Sequence, residues 1–403
     1  MTVSLIVVSR HRPEALARAI TAIRQQDLPR FELIVVADPA SAARVSDPQI
    51  KLVTFDEANI SAARNLGLAQ AAGDVVAFLD DDAVPEPTWL RRLTDPFADP
   101  RVTKAGGFTR GRNGISFQWR ACELDRCGED HALAVDPEAV TLLEGTTTRA
   151  PKVQGANCAF RTEPLRAIGG FDPAFRFYLD EADVCLRLPG LTAIVPLAEV
   201  HHGFAESAHR RADRAPRTLR EIGASTMVFL RRHAPEPLWP GALARLREDQ
   251  RRRLLRHMVA GRLEPRDLRR LLGTLEQGLA EGLRRPLAAL PPVSADPPGF
   301  RPLDSTGPRP GLLLAGPPNR RRALEAEAAA AAGERIVTLF LFGKSLARHR
   351  HSYDPRGFWL QTGGIFGQSL REGPLLRRAS RDSRISAERQ RLASLRPMGE
   401  APR

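Results

Sequence analysis

A chain of 403 residues with 42% hydrophobic and 27% charged side chains is long enough for two domains, or for one large domain with an extension, and apolar enough for a sizeable core. Its strongest late apolar run, Ile336 to Phe342, falls far short of the ~18 residues that span a bilayer, and a strand pattern starting at Met1 predicts no secretory leader. The net charge of +13 is uneven: residues 1–205 hold 22 basic and 27 acidic side chains (−5), and residues 206–403 hold 38 and 20 (+18). The first half is a poor phosphate-backbone footprint, so nucleic acid is not an expected partner. The second half suits anionic lipid headgroups. Lys51, Lys104, Lys152 and Lys344 are the four lysines against 56 arginines, a bias that fits GC-rich codon usage.

In chain order, Val3–Ser9 reads as a strand, Pro13–Gln26 as a helix with Leu16, Ala19, Ile20 and Ile23 on one face, and Phe31–Ala37 as a second strand. Ile50–Phe55 is a third strand, Ser61–Ala71 a helix, and Asp74–Leu79 a buried strand bounded by Gly73 and Pro85. This alternation predicts βαβ units, a mostly parallel sheet and right-handed crossovers. Val102–Phe108 continues as a strand. Residues 112–150 have weak patterning and are expected to form an acceptor-facing insertion. A strand after Val153, a helix over Thr162–Ile168 and a Gly169–Gly170 stop follow. A helix led by carboxylates, as the helix dipole favours, then includes Asp183 and Arg187. Thr192–Pro196 is a short strand. Residues 217–285 have helical spacing. Residues 286–318, with ten prolines, predict a linker or extended connection. An Ala/Glu helix, a strand and an aromatic, glycine-paired hairpin come next. The Arg/Ser-rich end beyond Leu375 is expected to be mobile.

Three consecutive aspartates, Asp80, Asp81 and Asp82, end the fourth strand. Like charges this close resist joint ionisation, and a hard divalent cation such as Mg²⁺ or Mn²⁺ removes that cost; a solvated acidic turn is the competing reading. Cys122, Cys127, Cys158 and Cys185 have no CxxC spacing, which favours reduced thiols over zinc or disulfides, with Cys158 and Cys185 as core fillers.

Five pieces in order carry a family resemblance: VSLIVVSRHRPEALARAITAIRQQ, FELIVVADPA, NISAARNLGLAQAAGDVVAFLDDDAVPEPTWL, GANCAFRTEPLRAIGGFDPAFRFYLDEADVCLRL, and the strand leading to EVHHG. Residues 1–205 thereby resemble inverting glycosyltransferases of family two with the GT-A fold, a Rossmann-like α/β sheet flanked by helices. The resemblance implies a nucleotide-sugar donor and a divalent metal at Asp80 and Asp82, with Asp81 between them. It further implies nucleotide contacts from Asp38 and Arg64, beside Ser9 and Arg10 at the neighbouring strand end, and a metal or diphosphate ligand within the pair His201 and His202. The acidic group Asp180, Glu181 and Asp183 would supply the base that takes the acceptor proton. Here Leu-Asp-Glu-x-Asp replaces the commoner Glu-Asp-x-Asp. By register Glu181 takes the base position, and the choice between it and Asp180 stays open. Trp89, Phe108 and Trp119 suit the core or an acceptor platform.

The expected organisation is a GT-A catalytic domain over 1–205, a helical extension over 206–285, a Pro-rich linker over 286–318 and a basic segment over 319–403. The expected activity is metal-dependent transfer of a sugar, with inversion, to a glycan or lipid-linked acceptor for surface polysaccharide or a related glycan. The expected location is the cytoplasm, with the basic half at the inner membrane face. Two rivals are a nucleotidyltransferase-like enzyme, disfavoured because the first loop is SRHRPEA rather than glycine-rich, and a basic peripheral or nucleic-acid-binding protein with an inactive sheet domain.

Overall fold

The computed structural model describes all residues except 204–205, 295–296, 305–306 and 401–403. Strand β1 (Val3–Ser9), helix α1 (Pro13–Ile23), β2 (Glu32–Ala37), the short α2 (Pro39–Ala42), β3 (Lys51–Thr54), α3 (Ile60–Gln70) and β4 (Val75–Asp80) form the predicted alternating start. β1, β2 and β4 are almost wholly buried, as continuous apolar runs in a sheet covered on both faces should be. Helix α1 packs Leu16, Ala19, Ile20 and Ile23 onto one face.

A three-residue strand, β5 (Ala83–Pro85), leads to α4 (Trp89–Thr94) and then to β6 (Val102–Arg110). The weakly patterned stretch contains five short strands: β7 (Phe117–Trp119), β8 (Cys122–Asp125), β9 (Asp130–Ala132), β10 (Thr141–Glu144) and β11 (Arg149–Lys152). Next come β12 (Asn157–Arg161), α5 (Thr162–Ala167), α6 (Asp180–Arg187) and β13 (Leu191–His202). The main sheet has the order β10-β13-β6-β12-β4-β1-β2-β3, with β5 on β13 and β7 on β6. Four of the seven pairings along that path are parallel. Gly169 and Gly170, at φ +83° and +63°, end α5 in a conformation that side chains with a Cβ avoid.

β13 is longer than the predicted Thr192–Pro196. Its second half pairs with β5 through Val200↔Pro85, His201↔Val84 and His202↔Ala83, and rejoins β6 after a register shift. The histidines therefore lie within the strand, not after it. Their side chains point to opposite faces, as neighbours in a strand must.

Helices α7 (Arg220–His233), α8 (Trp239–Val259) and α9 (Pro265–Arg284) form the helical region. α7 and α9 approach closely at glycines: a Cβ on Gly278 would lie 2.0 Å from the Arg220 carbonyl oxygen. The proline-rich connection runs back along the sheet, where the Leu303 amide donates to Phe31 O (2.8 Å) and the Arg301 amide to Glu32 Oε2 (3.1 Å). Its last part is not linker. β14 (Gly311–Gly316) opens a second sheet with β15 (Ile336–Gly343), β16 (Arg350–Asp354) and β17 (Phe358–Gly364), in the order β14-β15-β17-β16. Helix α10 (Arg321–Ala331) covers one face through Leu324 and Ala328, and α11 (Arg381–Leu392) covers the other through Ile385 and Leu392.

The C-terminal part is therefore a small α/β unit that includes the expected helix, strand and hairpin, and its end beyond Leu375, expected to be mobile, folds into α11. Ser380 caps α11 by accepting from the Ser383 amide (3.1 Å), and α11 buries Arg384 and Glu388 against Gln361 and His349. Burial of polar groups paired with one another leaves no hydropathy signal, which is why composition misread this end. Among the described residues no helix is long and apolar enough to cross a membrane.

Candidate functional site

The register of β1 with β4 (Val8↔Asp80) and with β2 (Ser9↔Ala37) aligns the C-terminal ends of three parallel strands. Such an edge is where open α/β sheets bind ligands. A cavity of about 1210 Å³ opens there, lined by the β1–α1 loop, α3, Asp80, Asp82, the start of α6, His202 and residues of α7 and α8.

Pairing of β5 with β13 carries His202 beside the aspartates, and the Gly203 amide donates to Asp82 O (2.7 Å). The His202 Nε2 lies 3.1 Å from Asp82 Oδ1 and 3.8 Å from Asp80 Oδ2. One oxygen from each aspartate and one ring nitrogen thus fall within 4.8 Å of one another. On the far side of the ring, Nδ1 faces Gln118 Oε1 at 3.1 Å. Donation from Nδ1 to that oxygen would leave the Nε2 lone pair free for a cation held between it and the carboxylates. The ring also stacks on Trp119, with centroids 5.6 Å apart and planes at 28°. Two carboxylates and an imidazole are a donor set that fits Mn²⁺ or Mg²⁺.

The expected members separate into those that face the cavity and those that brace it. Asp81 turns inward, accepting from Ser9 Oγ (2.7 Å) and pairing with Arg12 (3.0 Å). Burial pushes its carboxyl up to about 7, with Asp82 and Asp80 adding to the shift and Arg12 and Ser9 opposing it. It ties β4 to β1 and does not reach ligand space. Ser9 lines the cavity, but its hydroxyl is committed to Asp81. Asp38 also departs from its expected role. It is buried, caps α2 by accepting from the Ala40 and Ser41 amides, and accepts from the His11 amide (2.7 Å). These bonds, with the Ser41 hydroxyl, outweigh burial and hold its carboxyl below the usual range. Asp38 fixes the turn in which His11 has φ +58°, rather than lining the cavity. Arg10, beside it, pairs with Asp56 (2.9 Å) at the mouth.

Arg64 is buried under the site. It pairs with Asp180, reaches Asp80 Oδ1 at 3.5 Å and donates to Gly155 O at 3.1 Å. A Cβ on Gly155 would sit 2.5 Å from the Arg64 guanidinium, so a glycine makes room for the arginine. Leu179, at φ +66°, forces the chain into a left-handed turn before α6; such strain is held where a site needs the following residues aimed. Asp180 emerges already paired to Arg64, whereas Glu181 faces the cavity with the Lys152 ammonium as its strongest opposing charge. Burial and then Asp180 push the Glu181 carboxyl up to about 8, against the pull of Lys152 and Arg64.

Asp183 points away from the cavity. It meets His233 Nε2 (2.9 Å) and Arg187 (2.6 Å), which overcome burial and keep it below the ordinary carboxylate range. It holds α6 to α7. His201 departs likewise: it faces the opposite side of β13, with Nε2 3.0 Å from Glu86 Oε1 and its ring 5.0 Å from Trp359, and is no candidate ligand. Trp89 and Phe108 are buried in the core.

Residues absent from the sequence expectation also converge here. Arg12 spans Asp81 and Asp82 (3.3 Å to the latter), and Arg210 reaches Asp82 Oδ2 at 3.4 Å. Lys152 pairs with Asp130 (2.9 Å) beside Glu181. A signal for Lys152 was present: in a chain that writes nearly every base as arginine, a lysine is a chosen residue type, and Lys51, Lys104 and Lys152 are all buried. Arg210 lies in a loop without pattern, and no sequence signal marks it.

Residues 4–168 match the family profile of Glycosyl transferase family 2. Glu181 and His202 lie beyond the matched stretch. The pre-mycofactocin glycosyltransferase of Mycobacterium tuberculosis is 28% identical over 198 residues, 46% of this chain and 38% of that protein. The glucosyl-dolichyl phosphate glucuronosyltransferase of Haloferax volcanii is 27% identical over 205 residues, 47% of this chain and 63% of that protein. The chain thus spans less than two thirds of the length of either relative. The solved mannosyltransferase PcManGT from Pyrobaculum calidifontis, in complex with GDP-Man and Mn²⁺, superposes with a TM-score of 0.42 at 18% identity, covering 70% of this chain and 87% of that one.

Proposed function

We propose that the chain is a glycosyltransferase that moves a sugar from a nucleotide-sugar donor to an acceptor hydroxyl, with inversion and with help from a divalent cation. The observation that carries this reading is the sharing of one cavity by the Asp80, Asp82 and His202 donor set and the proton-accepting candidate Glu181, within and beside a family-two domain.

Asp80, Asp82 and His202 would hold Mn²⁺ or Mg²⁺. When bound, the cation supplies Lewis-acid neutralisation of charge on the departing diphosphate. The chain's own residues do the rest. Arg12 and Arg210 flank Asp82 and present guanidinium donors to anionic oxygens at this end. Glu181 takes the acceptor proton as the acceptor oxygen bonds to the anomeric carbon and the bond from that carbon to the diphosphate oxygen breaks, so the nucleoside diphosphate leaves with the electron pair. Asp180 is neutralised by Arg64, which favours Glu181 as the base. Its raised pKa suits a group that must give the proton up again.

A glycan or lipid-linked acceptor, cytoplasmic residence and attachment at an anionic membrane face complete the proposal. The test is release of nucleoside diphosphate from UDP-, GDP- and dTDP-sugars with and without Mn²⁺. Metal-stimulated release from one donor class supports the reading, and no release from any of them removes it.

A further inference from the structure

Arg253 of α8 lines the same cavity as Glu181, and both lie outside the residues that match the family profile. Among the described residues, seven arginines line this space. Six of them have a carboxylate oxygen within 4.0 Å. Arg253 has none among the described residues; it donates to Gln250 Oε1 at 3.3 Å on its own helix. Its neighbour Leu254 is fully buried in the cluster that seats α8 against α9, and this register turns the half-buried Arg253 towards the cavity.

The charges around Arg253 point the same way. Burial, opposed by the Tyr178 phenol and reinforced by repulsion from Arg210 and Arg256, holds its guanidinium below the ordinary arginine value. A cation half withdrawn from water without a counter-ion is unfavourable, and an anion placed there would relieve that cost. Tyr178 lines the same cavity, and its phenol feels the charges of Lys152, Asp130, Glu181 and Arg253. It stays 38% exposed and offers a ring face on which a sugar can pack.

Building on the transferase reading, we propose that the acceptor bears an anionic group, a phosphate or a carboxylate, which Arg253 holds beside the Tyr178 ring while the reacting hydroxyl meets Glu181. Arginine suits this task because its planar fork donates to two oxygens of one anion. The donor diphosphate belongs with Arg12 and Asp82; Arg210, which reaches Asp82 and whose charge Arg253 also feels, borders both anions.

Isothermal titration of the full-length protein, saturated with Mn²⁺ and the tightest of UDP, GDP or dTDP, tests the assignment. The probes are glucose 1-phosphate, glucuronate, neutral methyl glucoside and monomeric dodecyl phosphate. At least one anionic probe is expected to bind tenfold or more tighter than methyl glucoside. Preference for dodecyl phosphate over the two sugar acids would identify a lipid phosphate as the source, and the reverse a charged sugar. Arg253→Gln should abolish the preference and Arg253→Lys keep part of it, with nucleotide affinity unchanged in both. Equal binding of charged and neutral probes overturns the proposal. So does a loss of nucleotide affinity in Arg253→Gln, which would assign the residue to the donor. Failure of the transferase reading shows separately, as absence of Mn²⁺-dependent binding by all three nucleotides, and the anion preference is measured whether or not that occurs.

Discussion

Asp80, Asp82 and His202 differ from their neighbours Asp81 and His201 in one respect, the direction in which each side chain leaves the backbone. Gln118 adds a second level of control by meeting His202 Nδ1 and so orienting the ring. Gln118→Ala should therefore weaken Mn²⁺ binding roughly 10- to 100-fold, the usual cost of losing a partner that orients a ligand, without unfolding the protein. Metal titration followed by nucleotide binding measures this, and unchanged affinity would remove Gln118 from the site. Asp82→Ala removes a donor rather than core volume, so metal-dependent nucleotide binding and turnover should be lost while the thermal midpoint stays near wild type.

Glu181 makes a sharper prediction because its carboxyl is raised to about 8 by burial and by Asp180. A base must be ionised to act, so kcat/KM should fall about tenfold per pH unit below roughly 8 and level off above it. The folded state binds this proton more tightly than the unfolded chain, whose glutamates titrate near 4.5. Its contribution to stability is thus full at low pH and lost as pH rises towards 8. Glu181→Gln should cost ~10²–10⁴-fold in turnover, flatten the acidic limb and raise the thermal midpoint relative to wild type at pH 9 but not at pH 4. A large loss in Asp180→Asn with near-normal activity in Glu181→Gln would move the base to Asp180.

At the scale of elements, β13 carries the most consequence. One strand supplies His202 to the cavity and, from its other face, His201 to Glu86 and the C-terminal sheet. His202→Ala should depress metal affinity and leave urea stability nearly unchanged, whereas His201→Ala should do the reverse; equal effects on both properties would show that the two faces are not separable. The alternation of β1 to β4 with α1 and α3 was legible because buried parallel strands are continuous apolar runs and α1 has a clear apolar face. The second half of β13 was not, because a strand that pairs with a three-residue partner across a register shift leaves no repeating pattern. The donor set was legible in Asp80, Asp82 and the histidine pair. The choice between the two histidines was not, since it depends on which face of β13 meets β5. The family resemblance places Asp38, Asp81 and Asp183 at the site, and the amides, hydroxyls and cations that hold them inward are unmarked in the sequence.

For the whole molecule, the C-terminal unit is joined to the back of the site by buried charge. Arg396, 1% exposed, pairs with the fully buried Glu86 at 2.8 Å and lies 3.9 Å from the Trp359 ring centroid; the same Glu86 oxygen meets His201. Arg396→Ala would strand Glu86, and a broken buried pair costs about 3–5 kcal/mol. Urea unfolding should show that loss, and Glu86→Gln in the same chain should return part of it; a purely additive double variant would mean that the pair is not coupled.

The second half has a net charge of +18 over residues 206–403, and Arg251, Arg252, Arg266 and Arg322 are among its exposed arginines. Arginines near an anionic surface gain roughly 1 kcal/mol each, and salt screens the gain. The slightly acidic first half would be repelled, so attachment should orient the molecule with its helical and C-terminal parts towards the lipid. Full-length protein should therefore pellet with phosphatidylserine-containing vesicles at low ionic strength, return to the supernatant as salt is raised, and ignore neutral phosphatidylcholine vesicles. Equal recovery in the supernatant with both vesicle types at low salt would show that the arginines serve the internal pairs and the solvated surface alone.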